Sequence, residues 1–123
     1  MKDIKEKIIA VVGVSGNPKK FGYKIFKSLL DADYDVSGIN PAGGEVLGKK
    51  IFRKLEEVSH KPELVITVVP PQITEKIIEQ CMELGIKEIW MQPGSESEDA
   101  IKKAKEYGMS VTHHACIMVS QGI

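Results

Sequence analysis

The sequence predicts an α/β fold, in which one mostly parallel sheet of about five strands lies between two layers of helices. Its 123 residues are the size of one domain, and a chain of this length can bury one core. Short apolar, β-branched runs alternate with segments whose apolar residues recur at helical spacing. This alternation is typical of parallel strands joined by right-handed crossovers. We therefore expect residues 1–123 to fold as a single domain.

The first strand and helix are predicted between residues 8 and 31. The apolar run Ile8–Val14 suits a strand covered on both faces, and it is predicted as the central strand. The loop Ser15–Lys20 follows it. Apolar residues at helical spacing then predict a helix from Phe21 to about Asp31.

A second strand is predicted at Tyr34–Ile39, where residues alternate in character. It stops at Asn40 and Pro41, because proline cannot continue a central ladder of hydrogen bonds. The Gly-rich segment 42–49 is expected to be a loop, and residues 55–58 are expected to form a brief helix.

A third strand, Leu64–Val69, is buried and ends at Pro70. Proline is tolerated in the first turn of a helix, so Pro71 is predicted to start one that Gly85 ends. The residues predicted on the inner side of this helix are Ile73, Ile77, Ile78, Cys81 and Leu84.

The last elements are a strand at Lys87–Met91, a turn, a helix and a strand at Met109–Thr112. The pattern Ser95–Glu98 predicts a capping box at the start of that helix, and Gly108 is predicted to end it. The resulting order of elements is that of a Rossmann-like three-layer domain.

Charge and cysteine content exclude several classes of function. The 17 basic and 17 acidic residues cancel without any block of like charges, so no nucleic-acid partner is expected. No apolar run approaches the length of a membrane span, and the charged segment Met1–Lys7 does not resemble a signal peptide. We expect a cytoplasmic protein without a membrane partner. Cys81 and Cys116 are expected to be reduced thiols.

The loop after the first strand has the composition of an anion site. Ligands of open α/β sheets bind beyond the carboxyl ends of the strands. Small residues, two lysines and a helix N-terminus there favour phosphate or pyrophosphate. A plain turn with solvated lysines is the alternative. The candidate binding residues in this region are Gly13, Val14, Ser15, Asn17, Lys19, Lys20, Phe21 and Gly22.

Two familiar nucleotide motifs do not match this loop. It lacks the GK[ST] ending of a P-loop, and Ser15 and Pro18 stand where a dinucleotide fingerprint has glycines. The second strand ends in Asn40 and Pro41, where a nicotinamide-binding domain usually presents Asp or Glu to the ribose. NAD is therefore disfavoured.

His113, His114 and Cys116 raise a metal or nucleophile hypothesis. Adjacent histidines on an extended segment point to opposite faces, and no fourth ligand is nearby, so no metal is expected. Cys116 precedes an apolar segment, where burial is the simpler interpretation. No catalytic residue is assigned, although one histidine bordering a ligand pocket remains an alternative.

The chain resembles the CoA-binding domain family, whose fold opens the alpha subunit of succinyl-CoA synthetase. The resemblance runs from Ile8 to about Val119. Family members often carry Asp and Arg before the position of Cys116, where this chain has His113, His114 and Ala115. The motifs that carry the resemblance are Val11–Ser15 with Asn17 and Pro18, Gly38–Pro41, Val46–Gly48, Val68–Pro70, Gly85–Lys87, Trp90–Gly94 and Cys116.

The resemblance implies that coenzyme A is the cofactor. By this resemblance, Val14, Ser15, Asn17 and Lys20 border the phosphates of its 3'-phospho-ADP part. Asn40 and Pro41 lie near the adenosine ribose and its phosphate. Val69, Pro70 and Ile73, next to Val68, flank the adenine or the pyrophosphate. Gln92, Pro93 and Gly94 line the path of the pantetheine arm. The catalytic phosphohistidine of the synthetase belongs to a later domain, so the resemblance assigns it to neither histidine.

The leading hypothesis is a protein that binds CoA or acyl-CoA without clear catalytic machinery. One alternative is an acyl-CoA-linked or NAD-linked enzyme that uses His113, His114 or Cys116, and another is an interaction module without a ligand. A homodimer or a partner protein subunit is compatible with a small domain whose sheet has an edge to cover.

Overall fold

A computed structural model describes residues 3–123. Met1 and Lys2, the start of the charged N-terminal segment, lie outside the described residues. The strands are β1 (Ile9–Val12), β2 (Val36–Ile39), β3 (Glu45–Val46), β4 (Lys49–Phe52), β5 (Leu64–Thr67), β6 (Glu88–Met91) and β7 (Ser110–Thr112). The helices are α1 (Phe21–Asp31), α2 (Pro71–Leu84), α3 (Glu98–Glu106) and α4 (Ile117–Gln121), with 3-10 turns at Ile4–Glu6 and Leu55–Glu57.

Within residues 3–123, seven strands form one sheet in the order β3-β4-β2-β1-β5-β6-β7. All neighbouring pairs are parallel except β3 and β4. Ile9 of β1 is in register with Val36 of β2 on one side and with Leu64 of β5 on the other. The predicted α/β class and the central position of the first strand are therefore confirmed, and the sheet has seven strands rather than about five.

The segment 42–49, predicted as a loop, contributes to a β-hairpin. Glu45 of β3 pairs with Lys50 of β4, and β4 then joins the sheet beside β2. The two turn residues, Leu47 and Gly48, have φ angles of 54° and 75°. A two-residue hairpin turn needs positive φ at both positions, which Asn-Gly or Asp-Gly usually signal. Because leucine rather than Asn or Asp occupies the first position, the sequence did not predict this turn.

The core lies on both faces of the sheet, as the unbroken apolar run of β1 predicts. Ile9 and Val11 face one layer with Phe26 of α1, whereas Ala10 and Val12 face the layer with α2 and α3. All four β1 side chains are buried. Because helices pack against both faces of the sheet, the carboxyl ends of β1, β5 and β6 are held in fixed positions at one edge of it.

Helix α2 starts at Pro71 and ends before Gly85, as predicted, with Gly85 at a φ of 73°. Its buried stripe is Thr74, Ile77, Ile78 and Cys81, which follows the helical spacing of i, i+3, i+4 and i+7. Ile73 lies one position off this stripe and is 39% exposed, so its predicted inner position was wrong.

The start of α3 differs from the predicted capping box. Ser97 is the N-cap, and its hydroxyl accepts a hydrogen bond from the Ala100 backbone at 3.0 Å. Ser95 is instead buried in the turn that precedes this helix. Helix α4 was not predicted, because its five residues are too few to show a helical period. None of the helices between residues 3 and 123 has the length and apolar content needed to cross a bilayer.

Candidate functional site

The order of the strands creates a crevice at the carboxyl ends of β1 and β5. After β1 the chain moves to β2 and β4 on one side, and it later returns to β5, β6 and β7 on the other side. The loops that follow β1 and β5 therefore diverge, and open α/β sheets bind ligands at such a reversal. We call this edge of the sheet the carboxyl edge.

Two glycines bring the start of α1 close to the carboxyl edge. Gly13 has a φ of 108°, and a Cβ atom there would lie 2.3 Å from the carbonyl oxygen of Val68. A Cβ atom on Gly22 would lie 2.0 Å from the carbonyl oxygen of Gly13. Both contacts are shorter than any real side chain permits. Glycine is therefore required at both positions for the loop after β1, the loop after β5 and α1 to meet.

The loop between β1 and α1 is held by its own side chains. The Ser15 hydroxyl accepts a hydrogen bond from the Asn17 backbone at 3.0 Å. The side-chain oxygen of Asn17 accepts one from the Lys19 backbone, also at 3.0 Å. The Lys20 backbone donates to the Asn17 main-chain carbonyl. Ser15 and Asn17 thus shape the turn. Lys19 and Lys20 are exposed, and within residues 3–123 neither has a carboxylate partner.

Asn40 ties the end of β2 to this loop. Its side-chain amide donates to the Val14 carbonyl at 2.8 Å, and its side-chain oxygen accepts from the Ala42 backbone at 2.9 Å. Pro41 is exposed beside it, whereas the Val14 side chain is buried in the core. The Val14 backbone amide in turn donates to the Ile39 carbonyl at 3.3 Å.

Two adjoining recesses open beside the loop after β5. The wide recess holds about 320 Å³, and the narrow recess holds about 100 Å³. Phe21, Val68 and Pro93 line both of them. The wide recess is completed by Val69, Pro70, Gly94 and Ser95. The narrow recess is completed by Gln92 and Cys116.

The turn after β6 is rigidly bonded. Gln92 is 3% exposed; its side-chain oxygen accepts from the Ile117 backbone at 2.8 Å, and its amide donates to the Cys116 sulfur at 3.4 Å. The Ser95 hydroxyl lies 2.7 Å from the Gln92 carbonyl and 2.9 Å from the Thr67 hydroxyl. These bonds join β5, the turn and the start of α4 into one wall.

The two cysteines, which form no disulfide within residues 3–123, have different environments. Burial raises the pKa of the Cys81 thiol to about 12. Burial also acts to raise the pKa of Cys116, but hydrogen bonds from Gln92 and from the backbone of Val119 and Met118 outweigh it, so the pKa lies below the ordinary thiol value. Cys116 is therefore the more reactive thiol, and it lies in the wall of the narrow recess.

The histidines lie outside both recesses. The Nδ1 atoms of His113 and His114 contact each other, and the His114 backbone donates to Glu96 at 3.4 Å. His114 has a φ of 57°, which turns the chain between β7 and α4. Among the residues that the structure describes, no group of three His, Cys, Asp or Glu side chains could hold a metal ion.

The structure brings most of the predicted site residues together along the carboxyl edge. Ile73 is exposed on the first turn of α2 and lines neither recess. Ser95 was missed because the Ser-x-x-Glu pattern pointed to a helix cap. Cys116 was not predicted to line the site, because no local pattern signals its bond with Gln92, 24 residues away.

Comparisons with known proteins agree with this geometry. A structure of a conserved hypothetical protein from Pyrococcus furiosus is 36% identical and superposes with a TM-score of 0.87, covering 91% of this chain and 97% of that one. The uncharacterized protein YneT of Bacillus subtilis is 29% identical over 97% of this chain and 88% of its own length.

A third relative is much longer than this chain. The acetate–CoA ligase [ADP-forming] II subunit alpha of Pyrococcus furiosus is 30% identical over 89% of this chain, which spans 26% of that subunit. The model of the family described as CoA binding domain matches residues 7–121. The chain therefore belongs to the CoA binding domain family.

Proposed function

We propose that this chain binds coenzyme A or an acyl-CoA across the carboxyl edge, beyond β1, β5 and β6. The observation that carries the proposal is the direct junction between a lysine-bearing turn at the start of α1 and two largely apolar recesses. Phe21 stands at that junction, because it is the first residue of α1 and a wall of both recesses. CoA has the same division into an anionic nucleotide end and a slender pantetheine arm.

The anionic end of the ligand is proposed to lie on the loop between β1 and α1. The start of an 11-residue helix carries partial positive charge. Lys19 and Lys20 add two cations without carboxylate partners in the described part of the chain. Because the whole chain has no net charge, a polyanion must be attracted by a local group such as this one.

The remaining assignments follow the shape of the edge. Asn40 and Pro41 are proposed to border the adenosine ribose, since Asn40 is bonded to the same loop through Val14. Val69, Pro70 and the exposed Ile73 are proposed to flank the adenine or the pyrophosphate. Gln92, Pro93 and Gly94 would line the pantetheine arm.

The proposal assigns binding and no catalytic residue. The ligase relative is named as one subunit of its enzyme, so a partner subunit is a reasonable assembly for this chain, as is a homodimer. Both assemblies are compatible with an exposed carboxyl edge.

Calorimetric titration of ligand-free protein with CoA, dephospho-CoA, NAD and ATP tests the proposal. We expect CoA to bind at micromolar or lower concentration and NAD to bind much more weakly. Replacing both loop lysines (K19Q, K20Q) should weaken CoA binding about tenfold or more, as loss of charged hydrogen bonds does.

The matched control changes two exposed lysines of α3, K102Q and K105Q, and should leave the affinity unchanged. If folded, ligand-free protein does not bind CoA, the proposal is wrong. If both double variants weaken binding equally, the loop is not the phosphate site.

A further inference from the structure

A third recess lies beside the carboxyl end of β4, and the proposed function does not use it. Because β4 runs parallel to β2, both strands end at the carboxyl edge, and the Asn40 backbone donates to the Phe52 carbonyl at 2.9 Å. The order of the strands puts this recess on the opposite side of β1 from the wide and narrow recesses. We call it the β4 recess, and its lining residues are Gly43, Gly44, Lys50, Ile51, Phe52, Arg53 and Glu57.

Arg53, which lines the β4 recess, is the only arginine of the chain, because the other 16 of the 17 basic residues are lysines. It directly follows β4, and its side chain lies against the turn after β2. A Cβ atom on Gly43 would lie 2.9 Å from Nε and 3.2 Å from Cγ of Arg53. The Gly43 backbone donates to the Asn40 carbonyl at 2.8 Å. The turn that begins at Asn40 therefore supports the arginine side chain.

The charge of Arg53 is available to a ligand. The Glu57 carboxylate accepts hydrogen bonds from the backbone amides of Arg53 at 2.9 Å and Lys54 at 3.3 Å, which fixes the backbone that carries the arginine. Within residues 3–123, the Arg53 guanidinium forms no ion pair. Lys50 adds a second cation to the lining, and its Nζ atom lies 5.3 Å from the centre of the Phe52 ring.

The position of Arg53 suits a phosphate on a nucleotide ribose. In open α/β sheets the ribose of a bound dinucleotide lies near the end of the second strand, and an arginine nearby accommodates a phosphate on that ribose. CoA carries such a group at the ribose 3' position, and a phosphate monoester has a charge of about −1.5 to −2 at neutral pH. The planar guanidinium can donate two parallel hydrogen bonds to one phosphate, whereas a lysine acts as a point charge.

We infer that Arg53 binds the 3'-phosphate of the CoA ribose and is the residue by which this chain distinguishes CoA from dephospho-CoA. This inference rests on the proposed function and adds a specificity-determining residue to it. Lys19 and Lys20 serve the pyrophosphate, which both ligands contain, and Arg53 serves the phosphate that only CoA contains. Two ligands that differ in that one group therefore separate the two sets of cations.

Calorimetric titration with CoA and with dephospho-CoA tests the inference on the wild type, Arg53→Gln and Arg53→Lys. We expect the wild type to bind CoA about tenfold or more tightly than dephospho-CoA, as a charged hydrogen-bonded pair does. Arg53→Gln should remove most of that preference by weakening CoA, and it should change the affinity for dephospho-CoA by less than about twofold. Arg53→Lys keeps the charge without the planar fork and should be intermediate.

Lys49→Gln is the matched control, because it removes one exposed positive charge from the same strand at a position that does not line the β4 recess. It should keep both wild-type affinities. Arg53 is exposed, so its variants should stay folded, which circular dichroism checks.

Equal binding of CoA and dephospho-CoA by the wild type would overturn the inference. So would a preference for CoA that Arg53→Gln retains, or equal weakening of both ligands in that variant. In each of these cases CoA still binds to the wild type, so the proposed function stands. If the wild type binds neither ligand, the proposed function is wrong and the inference fails with it.

Discussion

At the scale of single residues, the environment of a side chain decides its chemistry more than its type does. Cys81 and Cys116 are both free thiols, but one is fully buried in the core and the other lies in the wall of the narrow recess. Gln92 donates a hydrogen bond to the sulfur of Cys116, which favours its thiolate. The two thiols should therefore be distinguishable in solution.

A thiol reagent should modify one cysteine per native chain. Cys116 has a lowered pKa, so a larger fraction is thiolate at neutral pH than in an ordinary cysteine, and its rate of reaction with iodoacetamide should reach half its maximum below the usual thiol pKa. Cys81, with a pKa of about 12 and no exposure, should react only on unfolding. Mass spectrometry of the labelled peptides measures both.

The control is Cys116→Ser, which should abolish labelling of the native protein. Saturating CoA should slow labelling of Cys116 if the pantetheine arm occupies the recess. Labelling of Cys81 at the same rate as Cys116 would contradict the described burial.

At the scale of elements, two serines near the start of α3 have separate tasks. Ser97 caps the helix through the Ala100 backbone, whereas Ser95 bonds to Thr67 and Gln92 and supports the wall of the recesses. The Ser-x-x-Glu pattern at Ser95 is thus a coincidence of spacing. The actual cap is the residue directly before the first helical position.

Replacing each serine by alanine should distinguish the role of Ser97 in capping α3 from the role of Ser95 in supporting the wall of the recesses. Ser97→Ala should lower the free energy of unfolding by about 1 kcal/mol, as loss of an N-cap does, and leave CoA affinity unchanged. Ser95→Ala should lower both quantities, because it leaves the buried Thr67 hydroxyl short of a partner and loosens the turn. Urea unfolding and calorimetric titration on the same samples measure them. A loss of CoA affinity in Ser97→Ala alone would reverse the two assignments.

At the scale of the whole molecule, the site belongs to the packed sheet rather than to any one loop. The walls of its recesses come from the ends of β5 and β6 and from the starts of α1 and α4. These elements keep their relative positions only while both core layers are intact. Ligand binding should consequently stabilise the entire fold.

CoA at about 100 times its dissociation constant should raise the free energy of unfolding by about 2.7 kcal/mol, because it binds the folded state alone. Thermal unfolding monitored by circular dichroism measures the shift. Added salt should reduce this stabilisation by CoA, since salt screens the attraction between Lys19, Lys20 and the phosphates of the ligand. The K19Q, K20Q protein provides the comparison and should show a smaller salt effect. A shift that is equally large with NAD would contradict the proposed selectivity.

Local sequence determined the elements whose signal lies within a few residues. The β-branched run of β1 needs burial on both faces, the apolar period of α1 needs one buried side, and Pro71 and Gly85 mark the two ends of α2. Four of the family motifs, Val11–Ser15, Gly38–Pro41, Val68–Pro70 and Trp90–Gly94, likewise end on loops of the carboxyl edge, because a strand end followed by Gly, Asn or Pro is visible without the fold. The α/β class and the position of the loop between β1 and α1 follow from such signals.

Tertiary structure alone decided the features that depend on distant residues. The turn at Leu47 and Gly48 forms because β4 pairs with β2, which overrides the weak turn preference of leucine. Ser95 is buried by its bond to Thr67, and Gln92 meets Cys116 only after β6 and α4 have packed. The size of the narrow recess is set by these contacts, because a volume between side chains exists only once the backbone positions are fixed.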